Sequence, residues 1–286
     1  MNGAIIITGA SAGFGAATAI RIARLGYPLV LTARRENELQ MVGEKVRSVG
    51  GQVTCIAGDI TDVATRQRVV DAAKAFGRIH ALLNNAGFGQ PGPVALVGEA
   101  EYRRQMEVNV YAPVEMIRLV APIMRYQGAG RVVNVSSAAG RMTVPMMGWY
   151  CASKHALESL TEALRSEVRA FGIHVSLIEP GPVATEFASA ATKAADTVGG
   201  DREAYKEHIE AFTATYTGDD PLRGRAHPDA TVGVIVHALT ARCPRFIYRT
   251  TALGKFALVA GWLLPRSWYE RVIARVYGMP GRAKKS

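Results

Sequence analysis

The chain has 286 residues, of which 49% are hydrophobic and 20% charged, a balance typical of a folded globular protein that excludes a disordered or collagen-like one. Its formal net charge is +10, but the basic residues are not interleaved with aromatic ones and match no zinc-finger or RNA-binding motif, so nucleic-acid binding is not expected. Three widely spaced cysteines and six histidines without ligand spacing predict a reduced, cytoplasmic protein that binds no metal.

Short β-branched runs alternate with helical patterns over residues 1–250. Such a βαβ series predicts a single α/β domain of the doubly wound Rossmann type, with about seven parallel strands and helices on both faces. Residues 184–228 interrupt the regularity and are predicted to form a substrate lid, and residues 251–286 form an apolar and basic helical appendage. The predicted strands are residues 4–8, 29–32, 53–57, 81–84, 131–136, 175–179 and 246–248.

The first strand runs into a glycine-rich turn, Thr8-Gly-Ala-Ser-Ala-Gly-Phe-Gly15, which a helical pattern follows from about Ala16. A sharp turn that presents backbone N–H groups at a helix N-terminus suits the pyrophosphate of a dinucleotide. The spacing G-x-x-x-G-x-G departs from the usual G-x-G-x-x-G fingerprint. On this evidence alone, a dinucleotide site and a merely close-packed turn are equally compatible with the sequence.

The end of the second strand indicates which cofactor would fit. An acid there would bind the ribose 2′-hydroxyl of NAD, but the position holds Ala33, followed by Arg34 and Arg35. Guanidinium groups suit a phosphate, and Ser11 in the glycine turn can donate a further hydrogen bond. We therefore expect Arg34 at the 2′-phosphate of NADP(H), whereas Arg35 considered alone is better explained as a solvated residue at a helix start.

A third cluster combines Ser136-Ser137 at a strand end with Tyr150 and Lys154 near the start of a helix. Residues four apart share one helix face, so the ammonium group can lie close to the phenol. A free tyrosine has a pKa of about 10, and a neighbouring ammonium or the positive charge of an oxidised nicotinamide would lower that pKa. The pattern favours an acid/base tyrosine, although a lone Tyr-x-x-x-Lys is common by chance.

Taken together, these residues resemble the short-chain dehydrogenase/reductase family from about residue 3 to residue 250. The resemblance implies the strand order 3-2-1-4-5-6-7, a homodimer or homotetramer, and hydride transfer between NADP(H) and an alcohol or ketone. The motifs that carry it, in the family's order and spacing, are Thr8-Gly-x-x-x-Gly-x-Gly15, Asn84-Asn-Ala-Gly87, Asn109, Ser137, Tyr150-x-x-x-Lys154 and Pro180-Gly181.

The resemblance also implies residue roles. Tyr150 would exchange the proton, Ser137 would hold the substrate oxygen, and Lys154 would lower the tyrosine pKa and bind the ribose. Asn109 would hold a water that continues the proton path, and Ser136 is the weaker candidate for a catalytic serine. Asp59 and Ile60 are expected at the adenine, and residues 180–185 at the nicotinamide amide. The full implied cofactor set is Gly9, Ser11, Gly13, Phe14, Gly15, Arg34, Arg35, Asp59, Ile60, Asn85, Ala86, Gly87, Tyr150, Lys154, Pro180, Gly181, Val183 and Thr185.

Segments 130–137, 149–154 and 176–183 are similar to the 17β-hydroxysteroid and retinol dehydrogenase branch, which implies a bulky apolar substrate. A reductase of another carbonyl class, such as a 3-oxoacyl thioester or a small xenobiotic ketone, is the alternative enzyme. A non-catalytic NADP(H)-binding sensor is the alternative outside enzymes. The intact Ser137, Tyr150 and Lys154 argue against the sensor, since a binding module needs no tuned phenol.

Two further features are open to more than one interpretation. Cys151, next to the candidate tyrosine, is expected to be a small packing residue rather than a redox switch. The apolar run 253–264 is too short to span a membrane. It is predicted to cap the substrate pocket, pack in a subunit interface, or lie on the cytosolic face of a membrane, the last suggested by Trp262, Trp268 and the nearby basic residues.

Overall fold

The computed structural model describes residues 2–181, 199–217, 228–251, 261 and 263–280. Its sheet consists of seven parallel strands in the order β3-β2-β1-β4-β5-β6-β7, which confirms the predicted doubly wound topology. The strands are β1 (Ala4–Thr8), β2 (Leu29–Ala33), β3 (Val53–Ala57), β4 (Ile79–Asn84), β5 (Gly130–Val135), β6 (Ile173–Glu179) and β7 (Ile247–Arg249).

Helices connect the strands and cover both faces of the sheet. A π-helix, Glu107–Tyr111, separates the fourth and fifth α-helices. The α-helices of the described residues are α1 (Gly13–Ala23), α2 (Glu36–Ser48), α3 (Val63–Lys74), α4 (Glu99–Met106), α5 (Ala112–Gln127), α6 (Gly148–Val168), α7 (Lys206–Thr217), α8 (Pro228–Thr240) and α9 (Arg266–Val276).

The central strands are buried on both sides, as their uninterrupted apolar sequences predict. Ile5 and Ile7 of β1 point into one core with α1, α2 and α8, whereas Ala4 and Ile6 point into the other with α3 and α5. Side chains alternate between the faces of a strand, so a strand with a core on each side needs an apolar residue at every position. This double burial fits the position of β1 in the interior of the sheet, between β2 and β4.

The chain reverses its winding direction between β1 and β4, which are adjacent in the sheet. In open α/β sheets, ligands bind outside the carboxyl ends of the strands at such a switch point. The glycine turn follows β1 at this edge, and Asn85 to Gly87 follow β4. The topology therefore brings two of the predicted motifs together at one edge of the sheet.

Two details differ from the sequence-based expectations. The first helix begins at Gly13 rather than near Ala16, and the last strand ends one residue later than predicted.

The helix formers at 203–207 lead into α7, which continues to Thr217. Most of the predicted lid, and the apolar run 253–264 apart from positions 261, 263 and 264, lie outside the described residues. Among the described residues, no helix combines the length and the apolar character needed to cross a bilayer.

Candidate active site

The glycine turn leaves the N-terminus of α1 open. Gly13 has a positive φ of 55°, and a Cβ atom placed there would meet no atom within 4 Å. The N-cap residue Ala12 gives the helix no side-chain cap. The first backbone N–H groups of α1 are thus available to an anion, which fits the pyrophosphate of a dinucleotide.

The same turn is packed against its own backbone. A Cβ atom at Gly15 would lie 2.5 Å from the carbonyl oxygen of Gly9, too close for any side chain. Gly9 itself has a φ of 65° and abuts the backbone of Ala86. Phe14 packs against the core beside the turn. These contacts explain the glycine spacing that a generic dinucleotide fingerprint does not match.

Asn85 and Thr8 hold the turn to the end of β4. The Asn85 amide donates to the carbonyl oxygens of Thr8 and Gly9, both at 3.0 Å. The backbone N–H groups of Asn85 and Ala86 in turn donate to the Thr8 hydroxyl, also at 3.0 Å. Asn85 therefore shapes the predicted cofactor site by fixing its backbone. Thr8 was part of the motif but was missing from the predicted site residues.

The arginines after β2 lie at the same edge. Arg34 and Arg35 are both exposed, and Ala33 ends the strand without an acidic side chain. Arg35 donates to the Ser11 hydroxyl at 3.3 Å and lies 3.8 Å from Glu38. Arg35 is thus an exposed residue at the start of α2, as its position in the sequence suggests, and its guanidinium also reaches the glycine turn. The roles of Arg34 and Arg35 at a 2′-phosphate stay predictions.

Asp59, expected at the adenine, is already engaged by protein groups. Its carboxylate accepts hydrogen bonds from the Thr61 N–H at 2.9 Å and the Thr61 hydroxyl at 2.8 Å, and it pairs with Arg104 of α4. Burial opposes ionisation, but these hydrogen bonds and the Arg104 charge together lower the pKa of Asp59. The adjacent Ile60 is buried. The Arg104 contact was not foreseen, because 45 residues separate the two partners.

The candidate catalytic residues meet where α6 begins beside the end of β5. Tyr150 lies in the first turn of α6 and is buried, and its hydroxyl is hydrogen-bonded to Ser137. Ser137 caps the short 3₁₀ helix Ala138–Gly140, and its hydroxyl accepts from the Ala139 N–H. Trp149 stacks on Tyr102 of α4 with ring centres 4.1 Å apart, which anchors the start of α6. The serine and the phenol are therefore held in contact by two separate elements.

Burial raises the pKa of the Tyr150 phenol above its ordinary value, and the hydrogen bond with Ser137 offsets only part of that effect. The phenol of the protein alone is thus neutral at physiological pH. The Lys154 ammonium nitrogen lies 5.8 Å from the Tyr150 ring centre. That its charge, together with that of an oxidised nicotinamide, lowers the Tyr150 pKa stays a prediction.

Lys154 is buried as well. Its ammonium group donates to the Val135 carbonyl oxygen at 2.9 Å, at the end of β5. Desolvation lowers the pKa of Lys154 to about 8, and the charge of Glu158 opposes this shift. A Cβ atom at Gly87 would lie 3.4 Å from the Lys154 nitrogen, so Gly87 keeps the backbone after β4 close to the ammonium group.

Asn109 lies at the centre of the π-helix, a rare element that often marks functional sites. Its amide donates to the Phe88 carbonyl oxygen at 2.8 Å and to the Ser153 hydroxyl at 3.0 Å, and its oxygen accepts from the Phe88 N–H. The Asn109 amide oxygen has a second lone pair, with which it could accept a hydrogen bond from a water molecule. Asn109 joins the loop after β4 to α6, and Ser153 is a partner that sequence motifs did not identify.

The loop after β6 completes this edge. The Pro180 carbonyl oxygen accepts from the Ala138 N–H at 2.8 Å, directly beside Ser137. A Cβ atom at Gly181 would collide with the Thr251 side chain, which explains the glycine. Val183 and Thr185, also predicted at the nicotinamide, lie outside the described residues.

Two other expectations concern chemistry beside the site. Cys151 is buried, its sulfur accepts from the Val144 N–H, and burial raises the pKa of its thiol. These are properties of a packing residue rather than of a reactive thiol. Within the described ranges, no group of His, Cys, Asp and Glu side chains is arranged to bind a metal ion.

Comparison with known proteins gives consistent matches. The family model described as short chain dehydrogenase matches residues 3–196. The chain is 30% identical over 275 residues to an NADPH-dependent 3-dehydrocapnine reductase of Ornithobacterium rhinotracheale, covering 93% of this chain and 94% of the relative. It is 31% identical over 257 residues to human 17-beta-hydroxysteroid dehydrogenase type 1, covering 86% and 77%.

A solved structure matches at the level of the whole fold. The short chain dehydrogenase/reductase from Burkholderia phymatum, crystallised in complex with NAD, superimposes with a TM-score of 0.76 at 30% identity, covering 92% of this chain and 95% of that one. Sequence motifs, strand order and overall fold thus agree, and the chain belongs to the short-chain dehydrogenase/reductase family of oxidoreductases.

Proposed function

We propose that the protein is an NADP(H)-dependent oxidoreductase that interconverts a secondary alcohol and a ketone, with Tyr150 as the proton donor and acceptor. The observation that carries this proposal is the buried Ser137–Tyr150 hydrogen bond beside the Lys154 ammonium group. A scaffold protein would have no use for a desolvated phenol of this kind. With the pyrophosphate of the cofactor at the glycine turn, its nicotinamide would supply or accept the hydride beside Tyr150.

The chain's own residues account for the proton side of the reaction. Ser137 and Tyr150 lie close enough to donate to one substrate oxygen, and such donors stabilise the negative charge that develops there. In reduction, the raised pKa keeps the proton on the Tyr150 oxygen until the substrate oxygen takes it. In oxidation, the Lys154 ammonium group and the positive charge of an oxidised nicotinamide favour the phenolate.

The preference for NADP(H) rests on the end of β2. Ala33 offers no carboxylate to a ribose 2′-hydroxyl, whereas Arg34, Arg35 and Ser11 offer donors to a 2′-phosphate. The relative from Ornithobacterium is NADPH-dependent by name, and the Burkholderia structure holds NAD, so the family accommodates both cofactors. The test is kcat/KM with NADPH and with NADH for one substrate; equal values would contradict the proposal.

The proposed substrate is bulky and apolar. Tyr150 belongs to a hydrophobic cluster with Val144, Met146 and Met147, and Phe212 of α7 is fully buried in it. Tyr277 and Met279 of the appendage pack against the same cluster. An apolar wall built from the loop before α6, from α7 and from the appendage suits a steroid-like or long-chain ketone, and it supports the pocket-capping interpretation of the appendage.

A screen of reduced-nicotinamide oxidation tests the substrate class. It would compare steroid ketones, retinal and long-chain ketones with acetoacetyl thioesters and small aryl ketones. Turnover restricted to the thioesters or the small ketones would favour the other carbonyl class. Tight NADPH binding without turnover of any member would favour the sensor.

The outer face of α9 favours contact with an anionic membrane on the cytosolic side. Trp268, Val272 and Val276 follow each other at intervals of four residues and are 61%, 47% and 49% exposed, and the exposed Arg271 and Arg275 lie beside them. An apolar ridge beside basic residues is typical of a helix lying in a membrane interface. Flotation with anionic and with neutral vesicles tests this; a protein that stays with the soluble fraction in both would contradict it.

The oligomeric state is proposed as a homodimer or homotetramer, as the family resemblance implies. Multi-angle light scattering of the full chain measures it directly. A strictly monomeric mass across the micromolar range would contradict this proposal.

A further inference from the structure

A buried carboxylate lies directly behind the candidate catalytic residues, and no motif identified it. Glu158 follows Lys154 by one turn on α6 and is only 2% exposed. Its Oε1 accepts from the Ser136 hydroxyl at 2.6 Å, and a Cβ atom at Gly140 would collide with the same oxygen. Ser136 immediately precedes Ser137. Glu158 is therefore tied to the backbone that carries the candidate serine.

The carboxylate belongs to an ion-pair cluster. The Arg141 Nε atom lies 2.5 Å from Glu158 Oε2 and 3.6 Å from Oε1 of the fully buried Glu179, and another nitrogen of Arg141 pairs with the exposed Glu162. Glu179 also pairs with Arg249 of β7 at 2.8 Å. Burying a carboxylate is costly even when it is paired, so replacing such a cluster by apolar residues often stabilises a fold. Packing alone gives little reason to keep Glu158.

Glu158 also acts on Lys154. The charge of Glu158 counteracts the desolvation of the ammonium group, as an anion near a buried cation does. The Lys154 nitrogen is hydrogen-bonded to the Val135 carbonyl oxygen, and Ser136 is the next residue. One carboxylate thus stabilises the lysine by its charge and the serine-bearing segment by a hydrogen bond.

We propose that Glu158 is a positioning residue for the reaction, which keeps Lys154 in its ammonium form and holds Ser137 in place through Ser136 without touching substrate or cofactor. This inference rests on the proposed function for the roles of Ser137 and Lys154. The groups that face Glu158 are Lys154 and Glu162 on α6, Ser136 and Arg141 on the segment after β5, and Glu179 on β6.

Glu158 can stabilise the Lys154 ammonium group only over the pH range in which Glu158 is ionised. Burial, opposed by the Ser136 hydrogen bond, raises the pKa of Glu158 to about 7, while the pKa of Lys154 is about 8. Between these values Glu158 is mostly ionised and Lys154 mostly protonated. Loss of the Glu158 charge should therefore shift the deprotonation of Lys154 to lower pH.

The decisive experiment compares Glu158→Gln with Glu162→Gln in the full chain. Glutamine keeps the shape of the side chain and can still accept from Ser136, so the first variant mainly removes the charge. The second removes the exposed partner of the same arginine and is the matched control. The readouts are kcat/KM against pH and the titration of Lys154 by NMR of carbon-13-labelled lysine, with Lys154 assigned from a Lys154→Met variant.

Glu158→Gln should lower the Lys154 titration midpoint by about one pH unit and move the alkaline limb of kcat/KM the same way. Glu162→Gln should change neither. If Glu158→Gln lowers activity with the midpoint and the limb unmoved, the residue is merely structural and the proposal is overturned. The NMR titration needs no substrate, so it tests the effect on Lys154 even if every proposed ketone fails.

Ser136→Ala tests the hydrogen-bond role of Glu158 separately from its charge. It can also replace Glu158→Gln if that variant does not fold. It keeps the carboxyl group but removes the hydrogen bond to Ser137's segment, which also raises the pKa of Glu158. It should lower kcat several-fold while shifting the Lys154 midpoint less than Glu158→Gln does. An unchanged kcat would overturn the proposed link through Ser136.

Discussion

The proposed cofactor edge, made of the glycine turn with Arg34 and Arg35, and the proposed catalytic cluster of Ser137, Tyr150 and Lys154 are built in different ways. The glycine turn offers backbone N–H groups and open space, and the arginines beside it are exposed. The catalytic cluster consists of buried side chains, with Tyr150 and Lys154 both desolvated. The first region depends on backbone shape, and the second on polar side chains, one of them charged, that the protein interior shields from water.

Because of this difference, the two regions should respond differently to substitution. A backbone site tolerates changes in neighbouring side chains but no added Cβ atom where the chain folds against itself. A buried polar site is sensitive to the loss of a single polar atom, because the groups that were hydrogen-bonded to that atom are left buried without a partner. The following substitutions test this contrast, from the largest expected effect to the smallest.

Tyr150→Phe removes one oxygen atom from the buried cluster. We expect kcat to fall by about 10²–10⁴-fold, the usual contribution of a general acid or base, while the cofactor dissociation constant stays within about twofold. Steady-state kinetics and cofactor fluorescence measure the two effects. A near-normal kcat would contradict the proposed role of the phenol.

Gly15→Ala adds one carbon atom to the glycine turn. The new methyl group would lie 2.5 Å from the Gly9 carbonyl oxygen, so the turn must shift. We expect a loss of about 1–3 kcal/mol in the free energy of unfolding and more than roughly tenfold weaker cofactor binding. Gly233→Ala in α8 is the control, since its methyl group would meet only Arg21, at 3.9 Å, and alanine favours a helix. Thermal melting and calorimetric titration would show whether the two variants differ.

Arg34→Ala and Arg35→Ala change exposed side chains at the same edge. Each should lower the kcat/KM preference for NADPH over NADH by roughly tenfold, since a hydrogen bond to a charged group contributes about 1.5–3 kcal/mol. The stability of the protein should not change. Arg24→Ala, at the exposed end of α1, is the control. A preference retained in both variants would rule out the phosphate assignment.

Glu158→Gln should alter the pH dependence of stability. Burial raises the pKa of Glu158 from 4.5 in the unfolded chain to about 7, so the folded protein retains a proton that the unfolded chain releases. This contribution is present below the unfolded pKa and is lost as the pH rises through the folded pKa. The variant should therefore gain roughly 2–3 kcal/mol relative to wild type between about pH 5 and about pH 8. Thermal melts at both pH values measure this; a constant difference would contradict the raised pKa.

Much of the fold follows from the sequence because its signals are local. Uninterrupted apolar runs mark the buried parallel strands, and all seven were placed to within about two residues. Motif spacing likewise identified Ser137, Tyr150 and Lys154, which the fold brings together. The start of α1 was misplaced because the glycine turn itself forms the first helical turn.

The sequence by itself determined the parallel sheet, the glycine turn and the four-residue interval between Tyr150 and Lys154, since these depend on neighbours along the chain. Only the tertiary structure decided that burial raises the pKa of Tyr150, that Arg35 reaches Ser11, and that Glu158 holds Ser136. Desolvation and long-range hydrogen bonds depend on which distant residues pack together, and no local pattern records that.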